Sequence, residues 1–121
     1  MNKPRRERYI KKVKYIIVDI RKKLDLMKKV PKDIDYVINL GGHVNHQEKM
    51  ITYQSHFNGC KNLVEILKKK KIKLFIQMGS SVENVNLKSP QSEKISNKKP
   101  KFGYNLAKYS ATNYLLDEFR F

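Results

Sequence analysis

The sequence predicts an α/β fold built on a parallel sheet, because three short apolar runs alternate with three helical patterns and each run ends in a polar or glycine-rich cluster. Alternation of this kind is closed by right-handed crossovers, and open parallel sheets bind ligands beyond the carboxyl ends of their strands. The 121 residues are read as one domain, residues 1–121, with a basic lead-in at 1–12 and a polar loop at 82–101. Apolar residues make up 40% and include five Phe and seven Tyr, enough for one core and too many for a disordered tail.

Residues 13–20 are rich in β-branched and aromatic side chains and place Asp19 at the carboxyl end of a first strand. Residues 21–30 carry Leu24, Met27 and Val30 at helical spacing and stop before Pro31, whose ring disfavours helix in the preceding residue. A second strand over residues 35–40 closes at Gly41 and Gly42, where the backbone turns sharply or approaches something closely. Across residues 47–70, Met50, Tyr53, Phe57, Cys60, Val64 and Leu67 recur every three or four positions and trace one face of a long helix. Gly59 within that helix costs about 1 kcal/mol relative to Ala, so close packing is its expected compensation. Residues 72–78 form a third strand ending in Gly79, Ser80 and Ser81. The last helix, residues 103–119, carries Leu106, Tyr109, Asn113 and Leu116 on one stripe and Tyr104 with Lys108 on another.

The 27 Lys and Arg against 11 Asp and Glu give a formal charge of +16, which raises nucleic-acid binding. Only five of the basic residues are Arg, the chain is rich in Asn and Ile, and it holds two Ala, a skew that nucleotide-composition bias explains. Neither zinc-finger spacing nor an aromatic RNA-binding consensus accompanies the charge, so nonspecific adhesion at low salt is the expectation. No apolar run reaches the roughly 18 to 20 residues of a membrane span. The basic start lacks the apolar stretch and small-residue cleavage site of a secretory signal, which makes the cytoplasm the expected compartment. Cys60 is the one cysteine. It can form neither an internal disulfide nor a cysteine-based zinc site, and its place on the apolar stripe reads as a buried structural thiol. His43 and His46 are three apart with only His56 as a further imidazole, and no metal site is assigned.

Tyr104 and Lys108 are four apart and share a helix face, where an ammonium favours the phenolate of a nearby Tyr. A phenol with a pKa of about 10 is poorly matched to base chemistry near neutrality. A fixed cation and a Ser hydroxyl tune it, and Ser80 at the end of the third strand completes such a trio. In a Lys-rich chain the same spacing also arises by chance on a solvated helix surface.

The motifs occur in a fixed order: Asp19-Ile20 closes one strand, Asn39-Leu40-Gly41-Gly42 the next and Gly79-Ser80-Ser81 the third, and Tyr104-x-x-x-Lys108 follows. That order resembles the extended short-chain dehydrogenase/reductase family and, within it, the NAD-dependent sugar-nucleotide epimerases and dehydratases. Asn62-Leu63 on the long helix and Ser89-Pro90 in the loop belong to the same pattern. The resemblance runs from about residue 13 to the C-terminus. It implies a partial Rossmann-type doubly wound sheet of about three strands and three to four helices, lacking the first βαβ phosphate-binding unit and the C-terminal substrate domain. It further implies NAD as cofactor, a nucleotide-sugar as substrate, and hydride transfer with epimerase (isomerase) or dehydratase outcomes. Residue by residue, Asp19 and Ile20 would flank the adenine. Leu40, Gly41 and Gly42 would line the dinucleotide, with His56 on the cofactor side where relatives carry Asn, and Gln77 and Met78 would approach the nicotinamide. Ser80, with Ser81 beside it, would orient the substrate and Tyr104. Tyr104 would transfer the proton, and Lys108 would hold the nicotinamide ribose and lower the phenol's pKa.

The match has departures. No G-x-x-G-x-x-G turn occurs before residue 13, nothing follows the last helix, and Asn84-Val85 replace a Tyr-Gly pair. In the strand order 3-2-1-4-5-6 the chain supplies strands three, four and five. Its first strand is therefore expected to be separated from its second by two strands that it does not supply, with unpaired backbone along residues 15–18 and 36–40. A fold that is marginal or dependent on a partner, either a second copy or a complementing chain, is expected, with no activity from this chain alone. The alternative from another class is a basic interaction module that binds nucleic acid or a partner subunit. Binding that falls steeply with salt yet keeps sequence preference is its signature.

Overall fold

β1 (Tyr36–Asn39) and β2 (Leu74–Gln77) pair in parallel, with Tyr36 opposite Leu74 and Asn39 opposite Gln77. The computed structural model describes residues 9–45, 47–84 and 98–119. Before β1 comes α1 (Lys23–Lys29). Between the strands run α2 (Lys49–Tyr53), a π-helical turn (Gln54–Asn58) and α3 (Gly59–Leu67), and after β2 a 3₁₀ turn (Ser81–Glu83) precedes α4 (Gly103–Glu118). This is the α/β arrangement the sequence predicts, and the parallel pair joined by a helix is one βαβ unit.

The first run differs from expectation. Residues 13–19 carry no strand, and the sheet among the described residues has two strands, β1 and β2, rather than three. A strand exists only where a neighbour completes its ladder, and the position beside β1 on the side away from β2 is unfilled among these residues. Side chains instead take up backbone carbonyls along this run: Lys29 Nζ donates to the Ile17 carbonyl at 2.8 Å, and Asn62 Nδ2 donates to those of Ile20 at 3.0 Å and Arg21 at 3.2 Å. Between this run, α1, β1 and α3 lies an apolar cavity of about 240 Å³ whose lining includes Ile16, Val18, Leu26, Val37, Leu63 and Leu67.

The core sits on one face of the sheet. Cys60 and Val64 of α3 meet Ala111 of α4, with Phe57, Phe75, Tyr114 and Leu115 packed around them. The opposite face presents Tyr36, Ile38, Leu74 and Ile76, all exposed. α1 buries Leu26 rather than the expected Leu24 and Met27, which are exposed. Leu26 and Val30, four apart, line the cavity that α3 also lines.

The long helix also buries an unexpected set. After Gly59 the buried residues are Cys60, Val64, Ile66 and Leu67, but before it they are Thr52, Ser55 and His56, while Met50 is exposed. A π turn inserts an extra residue into the helical period, and Thr52 and His56 are buried there while Phe57 still packs against the core cluster. On α4 the inward residues are Ala107, Lys108 and Ala111, and Leu116 is exposed.

Gly59 has the close neighbour its position requires: a Cβ there would fall 2.6 Å from Ile20 Cδ1 and 2.7 Å from Ile20 Cγ1. Gly59→Ala is therefore expected to destabilise the chain by about 1–3 kcal/mol through overpacking, against the ~1 kcal/mol that Ala contributes in a helix. Ile20→Ala should remove that penalty, so denaturant unfolding of the two single variants and the double variant checks the contact.

Candidate active site at the carboxyl edge of the sheet

α4 starts at Gly103, whose φ of +73° is one that glycine adopts without strain. Ala107 and Ala111 present almost no bulk, which lets the helix close on α3. Lys108 enters between them and is 4% exposed. A buried ammonium is costly unless it is hydrogen-bonded, and the end of β2 supplies the acceptor: Lys108 Nζ donates to the Met78 carbonyl at 2.7 Å. One of its three donors is thereby engaged. The same Nζ lies 5.7 Å from the centre of the Tyr104 ring, one helical turn earlier.

Ser80 caps the 3₁₀ turn. Its carbonyl accepts the Glu83 N–H at 3.1 Å, and Glu83 Oε1 accepts the Ser80 N–H at 2.7 Å. Glu83 Oε2 accepts the Thr112 hydroxyl at 2.6 Å. Thr112 lies one turn beyond Lys108 on the inward side of α4, so Glu83 ties the serine turn to the helix that carries Tyr104 and Lys108. Ser81 opens the turn, and its carbonyl accepts the Asn84 N–H at 3.2 Å.

At the end of β1, Asn39 is buried, and its Nδ2 donates to Gln77 Oε1 at 2.8 Å while its Oδ1 accepts the Gly41 N–H at 3.1 Å. Gln77 Nε2 donates to the Met78 carbonyl at 3.2 Å. Leu40 is exposed beside the turn. His56 is buried on the π turn, with Nε2 3.1 Å from the His43 carbonyl and its ring edge-on to Tyr104 at 4.9 Å between centres. The His43 N–H donates to Ser55 Oγ at 2.9 Å, which fixes the loop carrying that carbonyl.

At the far end, the Asp19 carboxylate accepts from Arg21 Nη2 at 2.7 Å and Nε at 2.9 Å. The guanidinium holds its pKa down, from an ordinary 3.8 to about 2. Ile20 packs between Gly41 and Gly59. Beneath the site Cys60 is fully buried, and burial pushes its thiol up to about 11 against the opposing influence of the Lys108 ammonium and a hydrogen bond with Asn39. At neutral pH it is a thiol and packs as one.

The structure thus brings Lys108 to Met78, Tyr104 to His56, His56 to Gly42, Gly41 to Asn39 and Gln77, and Ser80 to α4. Asp19 stands with Arg21 at the other end of the edge. His46, Val85, Ser89 and Pro90 lie outside the described residues. Sequence reasoning missed Glu83, Thr112 and Asn39. A signal existed for the first, since Ser80-x-x-Glu83 has capping-box spacing.

A parallel α/β unit with helices on one face and polar residues at the carboxyl edge of its strands has the architecture of Rossmann-type folds. A family model described as "NAD dependent epimerase/dehydratase family" matches residues 2–119, and the chain belongs to that family. No curated protein matches the chain. Among solved structures it is similar to RMD from Pseudomonas aeruginosa complexed with NADPH, with a TM-score of 0.71 and 22% identity, over 84% of this chain and 37% of that one. At this identity the likeness shows a shared Rossmann-type fold, and the chain spans little more than a third of that relative's length.

The donor set fits the two ends of a nicotinamide dinucleotide. Asp19 is an anionic acceptor of the kind that takes ribose hydroxyls, and Lys108 has donors for a second ribose. Among the described residues no glycine-rich turn opens a helix toward Gly41 and Gly42 to cradle the pyrophosphate.

Two outcomes follow. A depressed carboxyl pKa stabilises the fold fully above its ordinary value and loses that contribution as pH falls through the folded value, so the Asp19–Arg21 pair acts above about pH 3.8 and fades toward about 2. Asp19→Asn should flatten the acid limb of stability in that window, as read by urea midpoints. Glu83→Ala should cost about 1–3 kcal/mol, the loss of hydrogen bonds to a charged group. It should also speed amide exchange at Ser80.

Proposed function

We propose that this chain carries the acid/base half-site of a NAD(P)-dependent epimerase or dehydratase acting on a nucleotide-sugar. In this reading Tyr104 is the proton-transfer residue, Lys108 its tuning cation and Ser80 its hydroxyl partner. The observation that carries the reading is the buried ammonium of Lys108, fixed at 2.7 Å on the first carbonyl beyond β2 and 5.7 Å from the centre of the Tyr104 ring. Exposed lysines also reach a carbonyl or an aromatic ring, as Lys29 and Lys73 do, but Lys108 does both while 4% exposed.

The chemistry follows from the groups. The nicotinamide supplies the two-electron acceptor or donor. Tyr104, with the Lys108 ammonium 5.7 Å from its ring centre, removes the proton of a sugar hydroxyl as the carbon–hydrogen bond of that carbinol breaks and a carbonyl forms. Ser80, held by Glu83, donates to the same oxygen, and the reverse proton transfer accompanies reduction. Gly41 and Gly42 allow a ligand close to the backbone, Leu40 covers its edge, and Gln77 and Met78 flank the nicotinamide end. Asp19 and Ile20 bound the adenosine end. NAD is the cofactor the family implies, with the Asp19–Arg21 pair at the adenosine end. With no pyrophosphate cradle among the described residues and β1 open on one edge, the chain is read as incomplete by itself, and a second copy or a complementing chain completes the sheet in the cytoplasm.

The test is saturation-transfer NMR with NAD and NADPH. Weak contact at the nicotinamide and its ribose is expected, falling roughly ten- to hundred-fold in affinity in Lys108→Met, as loss of a charge-assisted hydrogen bond implies. Equal signals in Lys108→Met and Tyr104→Phe would place the ligand elsewhere, and micromolar affinity would refute incompleteness.

A basic module for nucleic acid is the second reading. It has a cleft of about 640 Å³ whose lining includes Lys23, Lys68, Lys69 and Lys70 over Met27 and Ile66. Lys23 pairs with Glu65, Lys68 with Glu118, and Lys70 Nζ reaches the Lys32 carbonyl at 3.4 Å. These engagements favour a solvated, nonspecific surface.

A further inference from the structure

We infer that His56 is a positioning residue for Tyr104 and that Gly42 is the seat that holds it, so that the glycine turn after β1 and the proton-transfer phenol move as one unit. The inference rests on the reading of Tyr104 as the acid/base group.

Three contacts define where the imidazole can be. Its Nε2 lies 3.1 Å from the His43 carbonyl. That loop is itself pinned, because the His43 N–H donates to Ser55 Oγ at 2.9 Å and Ser55 in turn donates to the Thr52 carbonyl at 3.1 Å. Its edge meets the Tyr104 ring at 4.9 Å with an interplanar angle of 78°, a favourable aromatic geometry. Against its remaining side lies Gly42. A Cβ at that position would fall 1.8 Å from Cε1, 2.2 Å from Nδ1 and 2.4 Å from Nε2 of His56. No side chain fits at position 42 while the ring stays where it is.

The π-helical turn makes this arrangement. His56 is buried on this turn, next to Phe57, which packs against the core cluster. π turns recur at functional sites because they re-aim one side chain out of the regular period, and here the re-aimed group is the imidazole. On the side of its own helix, Tyr104 has the Lys108 ammonium 5.7 Å from its ring centre. The phenol is thus set between a cation and an imidazole. Proton transfer is sensitive to placement at the level of an ångström, a misplacement that costs about 10²-fold in rate, so a ring wall that fixes Tyr104 has a direct use. A ligand seated against Gly41 and Gly42 therefore presses on the wall that positions Tyr104.

Aromatic NMR of the full chain with ¹³C-labelled Tyr and His rings tests this in the free protein, with Tyr104 signals identified by their loss in Tyr104→Phe. A nuclear Overhauser contact between the His56 and Tyr104 rings is expected without any substitution. Gly42→Ala should shift the Tyr104 ring signals, and in a His56→Asn background the same Gly42→Ala change should shift them no further. The non-additivity is the signature, since a general loosening of the fold would move Tyr104 in both backgrounds. Absence of the Overhauser contact, equal shifts in both backgrounds, or an unmoved Tyr104 in folded Gly42→Ala each overturns the inference. Should Gly42→Ala fail to fold, the Overhauser contact and the Tyr104 shift in His56→Asn decide alone, and both must be present. If the cycle holds while Tyr104→Phe leaves the NAD saturation-transfer signal unchanged, the coupled unit stands and the catalytic reading falls.

Discussion

A lysine ammonium that has left water must find a hydrogen-bond acceptor inside the protein, and much of this structure is arranged so that Lys108 does. The desolvation penalty of an unpaired buried cation amounts to several kcal/mol, comparable with a sizeable part of a small domain's total stability. The Met78 carbonyl is available because β2 ends at Gln77 and the chain turns away before its next ladder position. Ala107 and Ala111 flank the lysine and let α4 approach α3 closely enough for the side chain to reach. Once Lys108 is fixed, Tyr104 and Thr112, one turn to either side, are fixed as well. The serine turn follows through Glu83.

The sheet itself contributes less than its central place suggests. A two-stranded sheet is marginal on its own, and parallel sheets ordinarily have both faces covered. Here one face rests on α3 and α4 and the other exposes Tyr36, Ile38, Leu74 and Ile76. Stability therefore resides in the helical side, in the contact of Leu26 and Val30 with Leu63 and Leu67 around the cavity and in the cluster of Cys60, Val64 and Ala111. Lys29 and Asn62 supply by side chain part of what a neighbouring strand supplies by backbone, which holds residues 17–21 in place without a ladder.

The order of elements was legible because it rests on local signals: β-branched runs, a proline after α1, glycines after β1, and helical spacing in α3 and α4. The missing ladder beside residues 13–20 followed from strand order rather than from the run itself, whose composition is that of any strand. What could not be read was which face turns inward. The π turn changes the helical period without any residue that announces it, so Thr52 and His56 are buried where Tyr53 and Phe57 were expected to be. On α4 the larger apolar residues Leu106, Tyr109 and Leu116 outweigh two alanines by hydrophobicity, yet the alanines face the core because close approach requires small side chains. Tyr104 and Lys108, proposed here with Ser80 as an acid/base trio, were visible as spacing. The trio's supports, Asn39, Glu83 and Thr112, act across long sequence separations, and only Glu83 had a local signature.

The acidic residues divide in a way that bears on the site. Asp35 pairs with Lys73 at 2.8 Å, Glu118 with Lys68, and Glu65 with Lys23, all on half-exposed surface. Pairs of this kind contribute little each, and in a chain with a formal charge of +16 their main effect is to relieve repulsion among lysines. Glu83 is used differently. Its partners are a backbone N–H and a threonine hydroxyl, neither of which is charged. A carboxylate that passes over so many lysines to accept from neutral donors is held by geometry rather than by attraction between opposite charges. It therefore fixes direction, and the direction it fixes is that of the Ser80 turn toward the helix bearing Tyr104.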